Sequence, residues 1–241
     1  MIRWAYAFID RPRDRFPRAC AFWTAVTGTR LSELRGPAAE FATLLPHAPA
    51  DACVKAQAVA GPAGAHLDLA VDDVAATTRE ARGLGAAAVH AEEGLEVLRS
   101  PAGQLFCVVP WSGETTRPAP VAAPGGATSR LDQVCLDVPP GAYDREVAFW
   151  AALTGWESSA SALSEFHRVQ PPPELPVRLL LQCLGPDGRA GAHLDLACSD
   201  PDAVRAWHES HGAVFVSRGA NWLVMRDPAG GTYCLTGRDP E

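Results

Sequence analysis

Lysine is nearly missing from this chain. Of its 21 basic residues only Lys55 is a lysine, and the other 20 are arginines. Basic groups are also outnumbered by 28 acidic ones, for a net charge of −7 and a pI near 5.5. No Lys/Arg run is present, which excludes a nucleic-acid binder relying on a basic surplus to displace counterions. No apolar run reaches the roughly 18–20 residues of a membrane span. The start, Met1-Ile2-Arg3-Trp4, lacks the charged-then-apolar profile of a secretion signal. The seven cysteines are odd in number, scattered and without a CxxC pair. Reduced, mostly buried thiols in a cytoplasmic protein are therefore expected. The excess of Arg, Ala, Gly and Pro matches GC-rich codon usage and carries no functional meaning. What is present is 47% hydrophobic residues over 241 positions, enough for one large or two small domains.

An internal repeat decides between these. Phe22-Trp23 recurs as Phe149-Trp150, and Thr27-Gly28 as Thr154-Gly155. Gly64-Ala65-His66-Leu67-Asp68-Leu69-Ala70 returns unchanged at Gly191–Ala197, and Arg99-Ser100-Pro101-Ala102-Gly103 returns as Arg226-Asp227-Pro228-Ala229-Gly230. All four matches share one offset, whereas Glu40-Phe41 and Gln57 pair with Glu165-Phe166 and Gln182 two positions short of it. A longer turn at Gly185–Arg189 restores the register, as expected for a length change confined to a loop. The domains are thus 1–111 and 129–241, with 112–128, which holds Pro118, Pro120, Pro124, Gly125 and Gly126, as an exposed linker.

Within each copy a β-prone opening, Trp4–Ile9 or Leu131–Val138, precedes an amphipathic helix, Arg18–Thr27 or Arg145–Thr154. Gly28 and Gly155 stand where left-handed helix caps are expected. Short strands follow, and then the pattern restarts at His66 and His193. Asp72-Asp73 and Asp200-Pro201 start second helices, which end at Gly85 and Gly212. Three strands close each copy. The chain reads as four βαβββ modules in an α+β fold with mostly antiparallel sheet.

The aromatic pair followed by Thr-Gly, the His-Leu-Asp-Leu strand and the Asp-Pro-Ala-Gly turn resemble the vicinal oxygen chelate superfamily. This group includes glyoxalase I, the bleomycin-resistance proteins and the extradiol dioxygenases. The resemblance is strongest to its glyoxalase-like members. It implies tandem modules curled into cup-shaped sheets with helices outside, and a small-molecule ligand. It also implies that the two copies pair as an intramolecular pseudo-dimer, so that the chain is a monomer. Where such proteins hold a divalent metal, the ligands come from the first strands of two modules and from a last strand. The matching positions here are Gln133, His193 and Cys234 in the second copy, and Tyr6, His66 and Cys107 in the first. Both copies lack the carboxylate, and Ser100 replaces the turn Asp in the first. The expectation is therefore no metal and no other cofactor.

The residues themselves leave several readings open. On an alternating strand His66 shares a face with Asp68, and His193 with Asp195. Each pair either satisfies itself, contacts a ligand, or makes the His a general base. Cys107 and Cys234 are wall residues or, less simply, nucleophiles facing these imidazoles. Trp222 and Arg226 share a strand face that either offers the second cup a ring and an anion partner or leaves Arg226 in solvent. Two functions compete. One is a metal-free binder of the sequestration or resistance type, using Gln133, His193, Asp195, Trp222, Arg226 and Cys234 principally, with Tyr6, His66, Asp68 and Cys107 in the first cup. The other is a lyase, isomerase or oxygenase-like enzyme with catalytic candidates His193, Asp195 and Cys234, holding a metal on Gln133, His193 and Cys234 or using His193–Asp195 as a base. A first copy that serves only as scaffold fits its Tyr6 and Ser100.

Overall fold

The computed structural model describes residues 1–241. The first repeat runs β1 (Ile2–Pro12), α1 (Phe16–Val26), β2 (Arg30–Leu31), β3 (Phe41–Leu45) and β4 (Val54–Val59). It continues with β5 (Gly64–Val71), α2 (Val74–Gly83), β6 (Ala87–Glu92), β7 (Leu95–Arg99) and β8 (Leu105–Pro110). After a short β9 (Val121–Ala122), the second repeat gives β10 (Thr128–Val138), α3 (Tyr143–Thr154), β11 (Glu157–Ala160), β12 (Phe166–Gln170) and β13 (Arg178–Cys183). It closes with β14 (Gly191–Cys198), α4 (Pro201–Ser210), β15 (Val214–Arg218), β16 (Trp222–Arg226) and β17 (Thr232–Gly237).

One sheet is ordered β2-β3-β4-β1-β5-β8-β7-β6, and the other β11-β12-β13-β10-β14-β17-β16-β15 with β9 added on β10. The meanders pair antiparallel. β5–β8 and β14–β17 pair in parallel, because the helix of each module carries the chain back across. The fold is α+β, with two repeats, two sheets of eight and nine strands, and helices outside.

Local chemistry explains the element ends. Gly28 and Gly155 adopt φ of 60° and 63°, the left-handed conformation that a Cβ disfavours. A Cβ on Gly28 would also lie 3.2 Å from the Val121 side chain. The α2 and α4 N-termini are capped by Asp73, whose Oδ1 accepts from Ala76 N at 2.8 Å, and by Asp200, whose Oδ1 accepts from Asp202 N and Ala203 N at 3.1 Å.

Within the segment 112–128 only Ala123 is buried, and short stretches of it dock on the second unit. Val121–Ala122 pairs with Thr128–Ser129, Ala123 is buried, and the Thr116 backbone exchanges hydrogen bonds with Asp51. Its prolines exclude a long strand but leave enough donors and acceptors to dock a short one.

Contacts gather the chain into two compact units, each drawing on both repeats. Met1–Ala7, His66–Thr115 and Val134–Ala192 form one unit; Phe8–Ala65, Thr116–Gln133 and His193–Glu241 form the other. In the first, α3 packs on β8, with Phe106 ring centroids 5.8 Å from Phe149 and 5.0 Å from Trp150. In the second, α1 packs on β17, with Trp23 5.1 Å from Tyr233. Both aromatic pairs are buried, as core residues. The first helix of each repeat thus covers the last strand of the other.

The Asp-Pro-Ala-Gly turn is where the copies diverge. Asp227 accepts from Ala229 N and Gly231 N through Oδ1, and from Trp23 Nε1 and Arg11 Nε through Oδ2. Arg11 and Asp227 are both almost fully buried. A Cβ on Gly231 would come within 2.1 Å of the Arg11 guanidinium carbon, so that position requires glycine. At the corresponding turn Ser100 accepts from Gln104 N. Glu146 on α3 supplies the carboxylate instead, accepting from Trp150 Nε1 and Ala102 N, each at 2.8 Å.

Candidate functional site in the two cups

The second cup is built by three neighbouring strands, β10, β14 and β17. Gln133 from β10, His193 and Asp195 from β14, and Cys234 from β17 converge in it. The parallel register sets Asp195 beside Cys234, and alternation puts His193 on the same face. All four are buried or nearly so. The Gln133 side-chain amide donates to Asp195 Oδ2. His193 Nε2 stands 3.4 Å from Asp195 Oδ1. That oxygen is fully buried and has no hydrogen-bond partner.

Burial pushes the Asp195 carboxyl up from its ordinary value, while His193, Arg238 and the Gln133 hydrogen bond pull it back. Burial also pushes the Cys234 thiol up to about 11, with the Asp195 carboxylate adding to the effect. Burial thus favours the neutral thiol over the thiolate, the nucleophilic form.

The first cup repeats the pattern with one difference. His66, Asp68 and Cys107 bring donor atoms within 4.8 Å of one another, and His66 Nε2 is 3.5 Å from Asp68 Oδ1. At the Gln133 position stands Tyr6, and its hydroxyl donates to Glu114 Oε1. Glu114 carries no signal in the repeat, since it follows β8 in the irregular segment. The phenol is therefore already engaged within its own chain.

Trp222 and Arg226 are not gathered into the buried cluster. Register puts both on the face of Val224, which pairs with Cys234. The Trp222 ring, however, lies over the β15–β16 turn, where a Cβ on Gly219 would come within 2.1 Å of it. Arg226 is exposed. A residue absent from the sequence reading is Arg238, which holds Asp132 by two hydrogen bonds of 2.8 Å.

The donor set tests the fit of a metal. His193, Asp195 and Cys234 place a nitrogen, an oxygen and a sulfur within 4.8 Å. The Gln133 amide donates to Asp195 Oδ2, so one Asp195 oxygen is taken by that bond. A hard divalent ion of the oxygen-activating kind requires carboxylate and imidazole ligands. The residues at the three strand positions, an amide, an imidazole and a thiol, do not supply that set, and the one carboxylate within reach is Asp195.

Comparison with known proteins places this geometry in a family. The profile of the glyoxalase-like domain matches residues 7–109 and again 133–236. No curated protein is significantly similar in sequence. Among solved structures, the Mn(II)-bound glyoxalase from Novosphingobium aromaticivorans superposes with a TM-score of 0.68 at 18% identity, over 98% of this chain and 81% of that one. The 2,2',3-trihydroxybiphenyl 1,2-dioxygenase from Sphingomonas wittichii strain RW1 gives 0.63 at 15% identity, over 98% and 90%. A variant of homoprotocatechuate 2,3-dioxygenase from B. fuscum gives 0.62 at 16%, over 99% and 72%. At these identities the likeness is one of fold. No helix is long and apolar enough to cross a membrane. The chain belongs to the glyoxalase-like domain family, and carries that domain as two repeats in one polypeptide.

Proposed function

We propose that this chain binds a small polar organic molecule in its second cup, without a resident metal, as a sequestration-type member of its superfamily. The observation that carries this reading is Asp195 Oδ1 beside the Gln133 amide, where the first cup sets the matching Asp68 oxygen near a phenol already held by Glu114. A fully buried carboxylate oxygen with no hydrogen-bond partner is costly to leave so. A ligand hydroxyl or N–H satisfies it. Gln133 and His193 flank the same oxygens and orient the ligand, and the neutral Cys234 thiol supplies a small wall. The first cup differs at the decisive position, because Tyr6 already donates to Glu114. It serves mainly as scaffold, and the two copies form an intramolecular pseudo-dimer within a cytoplasmic monomer.

A second reading has one specific observation in its favour. The 3.4 Å approach of His193 to Asp195 is also how a carboxylate orients a general base. An enzyme would turn its ligand over; a sequestering protein would return it unchanged.

The test uses ligand-observed NMR with a fragment set of phenols and primary amides. Hits should lose at least about tenfold in affinity in His193→Ala and Asp195→Asn, and keep it in His66→Ala. Binding abolished by His66→Ala and retained in folded His193→Ala would overturn the assignment to the second cup. Hits recovered chemically altered would favour the enzyme.

A further inference from the structure

A larger cavity lies away from the second cup, within the unit formed by Met1–Ala7, His66–Thr115 and Val134–Ala192. It has a volume of about 690 Å³ and sits where β1 begins and β8 and α3 end, beside α2. This falls in the range of small-molecule pockets, roughly 300–1,000 Å³. Three of the seven tryptophans in the chain line it: Trp111, half-buried, and Trp4 and Trp156, both buried. Nothing derived above for the cups uses it.

Its charges are unequal. Its one side-chain cation, Arg3, is drawn to Asp72 at 3.2 Å. Arg3 also lies over the Trp111 ring, 4.8 Å from its centroid. That stacking shows a tryptophan of this cavity already holding a cation by its face. Three carboxylates line the same space: Glu80 from α2, Glu114, and Glu174 from the β12–β13 connection. Glu114 is engaged by the Tyr6 hydroxyl and by Ser112 N. Glu80 and Glu174 are exposed at the rim and pair with no cation or donor. An apolar cavity whose one side-chain cation is paired with Asp72 and whose rim carboxylates are unpaired selects positive charge on an apolar body.

We propose that this cavity is a second binding site, for an organic ammonium ion with an aromatic or aliphatic body. The apolar part lies against the tryptophans, and the ammonium meets Glu80 and Glu174. The site is independent of the second cup, so its success or failure leaves the reading of His193 and Asp195 untouched.

Calorimetry and tryptophan fluorescence with three probes of one shape test it: phenethylammonium, neutral 2-phenylethanol and anionic 3-phenylpropionate. The full chain should bind phenethylammonium saturably, and the neutral and anionic probes at least about tenfold more weakly. Glu80→Gln with Glu174→Gln should remove that preference, and added salt should weaken it. These are exposed substitutions that leave the fold intact. His193→Ala should change nothing. Equal binding of the three probes, no saturable binding of phenethylammonium, or a preference unmoved by the double Glu variant would overturn the proposal.

Discussion

Trp23 Nε1 donates to Asp227 Oδ2 at 3.0 Å, across 204 positions of sequence. The helix of the first repeat is thereby locked to the last turn of the second. The equivalent indole, Trp150, meets its acceptor Glu146 only four positions away on its own helix. One demand, a buried indole N–H needing an acceptor, is met by a turn residue in one copy and by a helix residue in the other.

Asp227 holds four donors, including the buried Arg11 guanidinium. Asp227→Ala strands that charge, for which the expected loss is about 3–5 kcal/mol in urea denaturation. Arg11→Met combined with Asp227→Leu should recover a substantial part. A loss under about 1 kcal/mol for the single variant would show that the pair contributes little.

If Glu146 replaces the missing turn carboxylate, restoring that carboxylate should make Glu146 redundant. Ser100→Asp alone sets two carboxylates against each other and is expected to destabilise. Ser100→Asp in a Glu146→Ala background should instead stabilise relative to Glu146→Ala. A double-mutant cycle should give a favourable coupling of about 1 kcal/mol or more, and additive changes would refute the exchange of roles.

His208 is fully buried, with Nδ1 2.9 Å from the Tyr233 hydroxyl and Nε2 unpartnered. Burial pushes its pKa down from 6.5 to about 3, and His211 adds to the effect. The unfolded chain therefore binds a proton that the folded chain refuses between these values. The neutral imidazole contributes stability above pH 6.5, and that stability is lost as pH falls toward 3. One proton corresponds to a slope of at most about 1.4 kcal/mol per pH unit. Denaturation series from pH 7 to pH 4 should show a steeper decline for the native chain than for His208→Gln. Parallel declines would mean that His208 does not carry the dependence.

Much of the fold was legible because its signals are local or repeated. The seven-residue identity at His66 and His193 sets the module count, and Asp73, Asp200, Gly28 and Gly155 mark helix ends by their own backbone chemistry. The convergence of Gln133, His193, Asp195 and Cys234 was legible through strand alternation together with the family resemblance. Glu146 was not, because a Glu on a helix surface reads as solvated until the opposing turn is known to lack its Asp. The Tyr6–Glu114 bond joins residues 108 positions apart, with Glu114 in an irregular segment that has no period. The turning of Trp222 over Gly219 depends on rotamer and turn geometry, which alternation does not encode. The separate cavity is assembled from the ends of several elements, none of which carries a motif.

The central claim, a second cup working through neutral hydrogen bonds and not through a metal, is tested most directly by elemental analysis. The full chain is purified without chelator and measured by mass spectrometry for zinc, manganese and iron, beside His193→Ala. The account predicts far less than one ion per chain in both proteins, because cysteine stands at the last-strand position, where a carboxylate is needed, and Gln133 is committed to Asp195. About one ion per chain, lost in His193→Ala, would contradict it.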